Sequence, residues 1–372
     1  MSTQTCFNLT AVDGLARVGL VDTAHGSFET PAFMPVGTQG TVKGVNPEEL
    51  KSLGAQIILS NTYHLHLRPG DEIISGLGGL HEFMGWRGPI LTDSGGFQVY
   101  SLAGLRKVSR QGVTFRSHID GRAVEFTPEK VIQIQNNLGV DILMVLDECL
   151  KYPATKEQAQ KSLELTTHWA ERSRQTPTLP GRLMFGIVQG GMFDDLRIQA
   201  AQHLVGLNFD GYAIGGLSVG ESHEQMISMA KVCLDVLPQN KPRYLMGVGM
   251  PKDIVAAVSC GIDMFDCVIP TRSARFGRLF RGHGYINIRN SRFRNDPSPV
   301  DTDCDCLACR NFSRAYLSHL MHAGEILGMQ LASIHNLRYY QRLVSGLREA
   351  IRARRLEEFA RPYIEPTGHK TD

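Results

Sequence analysis

The sequence predicts an α/β fold, a closed (β/α)8 TIM barrel, on three observations. Eight short apolar runs follow one another from Phe33 onward, each ending in a small or polar residue, as parallel strands buried on both faces do. Helical segments with their own start and stop signals separate the runs. The residues just past the runs are rich in carboxylates, amides and glycines, which is where a barrel of this class carries its working groups.

With 372 residues, 42% hydrophobic and 20% charged, the chain can bury a large core. Length alone suggests two or three units, and one barrel with insertions fits equally well. The chain opens with alternating segments, Phe7 to Leu9, Ala16 to Asp22 and Gly26 to Thr30, separated by Gly and Asp turns. They read as antiparallel β-hairpins that cap one end of something larger. The runs then come in order: Phe33–Val36, Ile57–Ser60, Ile90–Thr92, Ile142–Leu146, Leu183–Val188, Gly211–Ile214, Tyr244–Met246 and Asp263–Phe265. Between them, Thr127 to Gly139 shows a Thr cap, a Pro at the first helical position and a Gly stop, and Met250 to Gly261 has the same punctuation.

Strand ends then define a rim of Gly37, Thr38, Asn61, Asp93, Asp147, Gln189, Gly215, Gly216, Gly247 and Asp266. Asp141, Asp210 and Asp263 stand at strand starts instead and read as structural residues of the opposite face. Each rim residue has a bland alternative, Asp93 as a cap, Asp147 as an ion-pair partner, Gln189 as a turn residue. Their joint arrival at strand ends of one barrel favours the functional reading.

Two segments break the rhythm. Val99 to Phe126 reads as a β-hairpin turning at Asp120-Gly121, inserted after the third strand. The other, residues 277–335, carries Cys304, Cys306 and Cys309 close together, followed by His335. Cysteines this close in a reducing compartment point to a structural zinc site of the Cys3His type, one Zn2+ per chain, with no open position for a substrate. His319 and His322 are nearer the cysteines but lie within a helical stretch, Arg314 to Leu327, whereas His335 opens the next one. The expected organisation is residues 1–276 for the cap and most of the barrel, 277–335 for an inserted zinc-binding subdomain, and 336–372 for a helical segment completing the barrel.

A net charge of +2 does not by itself imply a nucleic-acid partner, but local charge does. From Thr271 to Arg294 there are seven arginines and no Asp or Glu, beginning just after Asp266. That places an acid where an anionic polymer can be held. Met1 to Thr10 has no basic segment followed by an apolar one, and no apolar run reaches the roughly 18 residues that span a bilayer, so a soluble cytoplasmic protein without a membrane partner is expected.

Together, Thr92 to Gln98, Leu146 to Cys149, Val188 to Gly191, Gly215 to Glu221, Met246 to Gly249, Phe265 to Arg272 and the Cys-x-Cys-x-x-Cys…His cluster resemble bacterial queuine tRNA-ribosyltransferase, also called tRNA-guanine transglycosylase. The resemblance covers nearly the whole chain in order. It implies a barrel with an inserted zinc subdomain, a homodimer, and exchange of guanine at wobble position 34 of tRNA for the modified base preQ1. Replacing a base on ribose with retention calls for two displacements at the anomeric carbon, one carboxylate attacking and another acid/base group serving the bases. The resemblance makes Asp266 the nucleophile and Asp93 the acid/base. It gives Asp147 the purine N1–H and 2-amino group, Gln189 and the Gly216 N–H the O6 oxygen, and Phe97 the ring face, where the family often has Tyr.

The same resemblance adds Ser94, Gly95, Gly96, Cys149, Gly215, Leu217, Val219 and Met246 to the base pocket. It assigns RNA contacts to Gly247, Val248, Gly249, Met250, Pro251, Lys252 and Asp253, and to Thr271, Arg272, Ser273, Ala274 and Arg275. Val219 is the preQ1-type residue, since eukaryotic queuine users tend to have glycine there. The alternatives are queuine as incoming base, a non-catalytic tRNA-binding subunit, an archaeosine-type enzyme and a glycoside hydrolase. The subunit should lack one of the acids, the archaeosine enzymes usually carry an added carboxyl-terminal RNA-binding domain, and a hydrolase gives no reason for the zinc subdomain or the arginines.

Overall fold

All eight apolar runs form strands of one closed parallel barrel in the computed structural model, which describes residues 6–102 and 106–365. The strands are Ala32–Gly37, Ile58–Asn61, Ile90–Asp93, Ile142–Met144, Leu183–Val188, Gly211–Ile214, Arg243–Leu245 and Met264–Cys267. Closure is made by the eighth pairing with the first, Met264 beside Ala32 and Phe265 beside Phe33. Their side chains are buried on both faces because helices cover the outside and neighbouring strands fill the inside, which is why the sequence shows continuous apolar runs and not alternation.

The outer helices start where their capping chemistry sits. Asn46, Thr155 and Ser222 each close a capping box, with Glu49, Gln158 and Gln225, ahead of helices Pro47–Ser52, Lys156–Gln175 and His223–Leu234. Helix Pro128–Leu138 stops at Gly139, whose φ of +70° suits glycine.

Strands Phe7–Asp13, Ala16–Thr23 and Gly26–Thr30 make the antiparallel cap, and buried ion pairs dock it on the barrel's amino-terminal face. Arg17 donates from Nε to Asp263 Oδ1 at 2.8 Å and from Nη2 to Oδ2 at 2.5 Å. Asp141 accepts from the His25 ring, His81, Arg182 and the Ile90 N–H. The Asp210 carboxylate takes the Met184 N–H at 2.9 Å. All three acids are thus structural groups of the face opposite the rim.

The insertion after the third strand differs from the expected hairpin. Val99 lies in a helix, Gly96–Leu102, and the β part is a three-stranded antiparallel sheet, Arg106–Ser109, Gly112–Arg116 and Ala123–Phe126. Asp120-Gly121 does turn the second strand into the third.

At the carboxyl-terminal end a single helix, Ile326–Arg352, runs through the boundary expected between residues 335 and 336. Its first half carries His335 toward the cysteines. Its second half packs on the barrel, with Gln341 donating to the Phe33 carbonyl and Arg348 to that of Pro31. The helical stretch read as Arg314 to Leu327 ends at Ala323, and Leu327 belongs to the long helix. Among the described residues no helix is long and apolar enough to cross a membrane.

Candidate active site

Three aspartates meet at the carboxyl ends of the strands, and each is held differently. Asp93 ends the third strand. Its carboxylate accepts from Asn61 Nδ2 and, at 3.0 Å, from the Thr62 N–H, both on the second strand's end. Burial pushes its carboxyl up to about 7; the Thr62 N–H works against this, while the negative charges of Asp266 and Asp147 add to it. A group with that pKa can give and take a proton near neutrality.

Asp266, in the eighth strand, receives the Tyr244 hydroxyl at 2.6 Å and the Gly247 N–H at 2.7 Å, both on Oδ1. Burial raises its carboxyl, and these two donors pull it back toward the ionised form. Oδ1 is thereby occupied. Tyr244 is itself buried, and its hydroxyl stays protonated because burial and the nearby carboxylate both raise its pKa.

Asp147 lies in the loop after the fourth strand, 7% exposed, accepting from Ser94 Oγ and Gln189 Nε2, each at 2.8 Å. Glycines are required around it: a Cβ on Gly96 would meet the Asp147 carbonyl oxygen at 2.5 Å, and one on Gly215 would meet Gln189 Nε2 at 2.7 Å. Gly216, at φ +65°, would put a Cβ 2.4 Å from Gln189 Oε1. Gly95 is also left-handed, and Ser94 Oγ accepts the Gly96 N–H. Cys149 is buried, with its thiol pushed up to about 12 by burial, so it packs and does not react.

Leu217 is buried and Met246 half-buried, whereas Phe97 is 51% exposed beside Tyr100. Val219 is half-buried and lines a cavity of about 210 Å³ that opens past Gln189 and Gly216 toward Leu150 and Tyr152. The Glu221 carboxylate accepts the Ser218 and Val219 N–H groups and so shapes that loop.

The residues expected to meet RNA flank Asp266. Gly247 to Gly249 is packed against the eighth strand, since a Cβ on Gly249 would meet Cys267 Cβ at 2.3 Å, and the Gly247 N–H is used by Asp266. In this segment Lys252 is exposed, Val248 and Pro251 are buried, Met250 is half-buried, and Asp253 bonds His223. Thr271, Arg272, Ser273, Ala274 and Arg275 fall in the helix Ile269–Arg275 immediately after the eighth strand. Arg272, Arg278, Arg281, Arg289, Arg292 and Arg294 are exposed; Arg275 is half-buried and donates to the Thr271 carbonyl.

Cys304, Cys306, Cys309 and His335 converge with all ligand atoms within 4.8 Å of one another. His335 Nε2 is engaged by the Phe280 carbonyl at 2.6 Å, which turns Nδ1 toward the thiols, 3.2 Å from Cys309 Sγ. The Cys309 N–H points at Cys306 Sγ. Donor types, spacing and the Phe280 carbonyl behind His335 all fit a four-ligand metal site. His322 is outside it, with Nδ1 at the Ser318 carbonyl. A second group, His25, His81 and Asp141, is already satisfied without an ion: both rings and Arg182 bond the Asp141 carboxylate, which also accepts the Ile90 N–H.

Sequence reasoning missed Tyr244, which reads as core within an apolar run, as well as Thr62, Glu221 and Arg197. Arg197 had a signal, since it falls on the buried stripe Arg197, Ala200, Ala201 and Leu204 of helix Asp194–Gly206.

Comparison with known proteins agrees with this geometry. Residues 13–368 match the family described as Queuine tRNA-ribosyltransferase. Curated proteins of that name are 56% identical in Oleidesulfovibrio alaskensis, over 96% of this chain and 95% of that one, and 56% identical in Solidesulfovibrio magneticus, over 95% of each. The one from Marinobacter nauticus is 55% identical over 96% of this chain and 95% of its own. With matching motifs, fold and full-length similarity, the chain belongs to the queuine tRNA-ribosyltransferase family.

Proposed function

We propose that the protein exchanges guanine at wobble position 34 of tRNAs with GUN anticodons for preQ1, a step of queuosine biosynthesis, through a covalent adduct on Asp266. The observation that carries this reading is the trio of buried carboxylates at one rim in three environments: one near neutrality, one held by an O–H and an N–H, and one held by a serine and an amide. In the first half, the free oxygen of Asp266 attacks ribose C1′ as the C1′–N9 bond breaks. The bonding pair leaves with guanine and Asp93 supplies the proton. In the second half, Asp93 takes the proton from N9 of preQ1, the base attacks C1′, and Asp266 departs as carboxylate. Proton and charge are both restored.

Asp147 accepts from N1–H and the 2-amino group, while the second Gln189 amide proton and the Gly216 N–H serve O6. Phe97, exposed over the rim, offers its ring for stacking. Ser94, Gly95 and Gly96 shape the pocket floor, and Cys149, Gly215, Leu217, Val219 and Met246 its walls. Exposed arginines of 272–294 and Lys252 hold the anticodon phosphates while the nucleotide is turned out of its stack. Cys304, Cys306, Cys309 and His335 would hold a zinc ion, which would supply structure and no step of the exchange, fixing the subdomain that presents the arginines.

Half-buried Val219 beside the cavity favours preQ1 over the larger queuine. A homodimer through the apolar surface at Ile326, 80% exposed, and Leu327 is supported by their position, and the site of action is the cytoplasm. The test is incubation with radiolabelled guanine and a tRNA bearing guanine at position 34. Label enters the tRNA with wild type; Asp266→Asn loses both exchange and the denaturant-resistant protein–RNA adduct while tRNA affinity stays within about a few-fold. An adduct surviving in that variant would require another nucleophile.

A further inference from the structure

Arg197 is fully buried, and every oxygen it bonds is a main-chain carbonyl. Nε donates to Gly191 at 2.9 Å; Nη1 donates to Val188 at 3.3 Å and to Gly215 at 2.9 Å. Nη2 has no oxygen partner, the Cys233 thiol is the side chain against the guanidinium, and among the described residues no carboxylate forms an ion pair with it. A buried cation without a counter-ion is unfavourable, and for filling space alone a methionine would serve better. The three carbonyls come from the end of the fifth strand and from the loops after the fifth and sixth, which carry Gln189 and Gly215-Gly216. One side chain therefore fixes those two loops relative to each other.

Its charge also has a direction. The Gly215 carbonyl and the Gly216 N–H are the two ends of one peptide group. A guanidinium bonded to that carbonyl polarises the group and makes the Gly216 N–H a stronger donor. A Cβ built on Gly216 would lie 3.7 Å from Nη2, so the cation sits directly behind this peptide. When C1′–N9 breaks, the bonding pair enters the purine and part of the charge reaches O6. A donor strengthened for that moment lowers the barrier more than it tightens ground-state binding.

We infer that Arg197 is a positioning residue for base exchange, locking the loops after strands five and six and charging the Gly215–Gly216 peptide that faces purine O6. This rests on the purine site proposed above at Asp147, Gln189 and Gly216. The test compares Arg197→Gln, Arg197→Met and Arg197→Lys with wild type by thermal unfolding, tRNA affinity and steady-state exchange. The neutral variants should lose about tenfold or more in kcat with tRNA affinity within about threefold, and Arg197→Lys should recover much of kcat because it restores the charge. Wild-type kcat in Arg197→Gln, or a lysine variant as defective as the methionine one with matching loss of fold, overturns the inference. Asp147→Asn is run in parallel: an unchanged KM for the base there removes the purine assignment itself, independently of what the Arg197 variants do.

Discussion

Asp93 and Asp266 are one residue type given different chemistry by what surrounds them. Asp93 holds a proton near pH 7 because burial and two neighbouring carboxylates disfavour its charge. In the exchange proposed for this rim the first half-reaction needs it protonated, so kcat/KM for tRNA should fall as pH rises through about 7. The second half needs it ionised, and kcat/KM for the incoming base should fall as pH drops. In the adduct Asp266 is an ester and its negative field on Asp93 is gone, so that inflection lies below the first. Steady-state kinetics with each substrate varied in turn would measure both limbs; identical profiles would move the proton to another group. Tyr244→Phe removes one of the donors that keep Asp266 ionised and should lower kcat/KM for tRNA by about tenfold at neutral pH with unchanged tRNA affinity. The rim residues Asp93, Asp147, Gln189 and Asp266 were legible in the sequence because each interrupts the chain just where an apolar run ends. Tyr244 was not, because only the pairing of the seventh and eighth strands brings its hydroxyl to Asp266.

At the scale of elements, all eight strands could be read because each is buried on both faces, and a fully buried strand has no polar alternation to obscure it. Helix Ile326–Arg352 was divided at His335 because its two halves serve different neighbours, and no local signal says that they are one rod. That rod joins the cysteine–histidine cluster to the rim that carries Asp266. Asn336, next to His335, donates to the carbonyls of Pro270 and Arg278 and accepts the Phe280 N–H, gripping the segment that follows Asp266. Cys306→Ser should therefore release the metal, lower the unfolding temperature by about several degrees and weaken tRNA binding. Full activity and native stability in the metal-free variant would remove the structural role. The loop after the sixth strand carries a second prediction. Glu221 holds its backbone, leaving the Val219 side chain free to limit the cavity beside it. Wild type should use preQ1 well and queuine poorly, and Val219→Gly should gain queuine; comparable kcat/KM for both bases in wild type would show that the arm does not meet Val219.

Across the whole molecule, the net charge of +2 conceals a strongly uneven distribution. Buried acids at the amino-terminal face are paired with Arg17 and Arg182 and hydrogen-bonded to the rings of His25 and His81, tying the β cap to the barrel. At the other face stand the acids of the proposed site, and the positive charge stands beside them on the segment from Arg272 to Arg294, where six of the seven arginines are exposed. This division was legible in the sequence as a cluster, although which arginines face solvent was fixed only by the hairpin Arg278–Arg281 and Gly284–Asn287 and its packing on the long helix. An RNA held this way binds chiefly by counterion release, so affinity should fall steeply with salt. Each phosphate contact removed should reduce the slope of log K against log salt by about 0.7 for a single-stranded segment. Arg278→Ala combined with Arg281→Ala should thus flatten the slope by about 1.4 and weaken binding to all tRNAs alike, leaving kcat at saturating tRNA within about twofold. Fluorescence titrations at several salt concentrations measure this directly. An unchanged slope would mean that the phosphates run along another part of the rim.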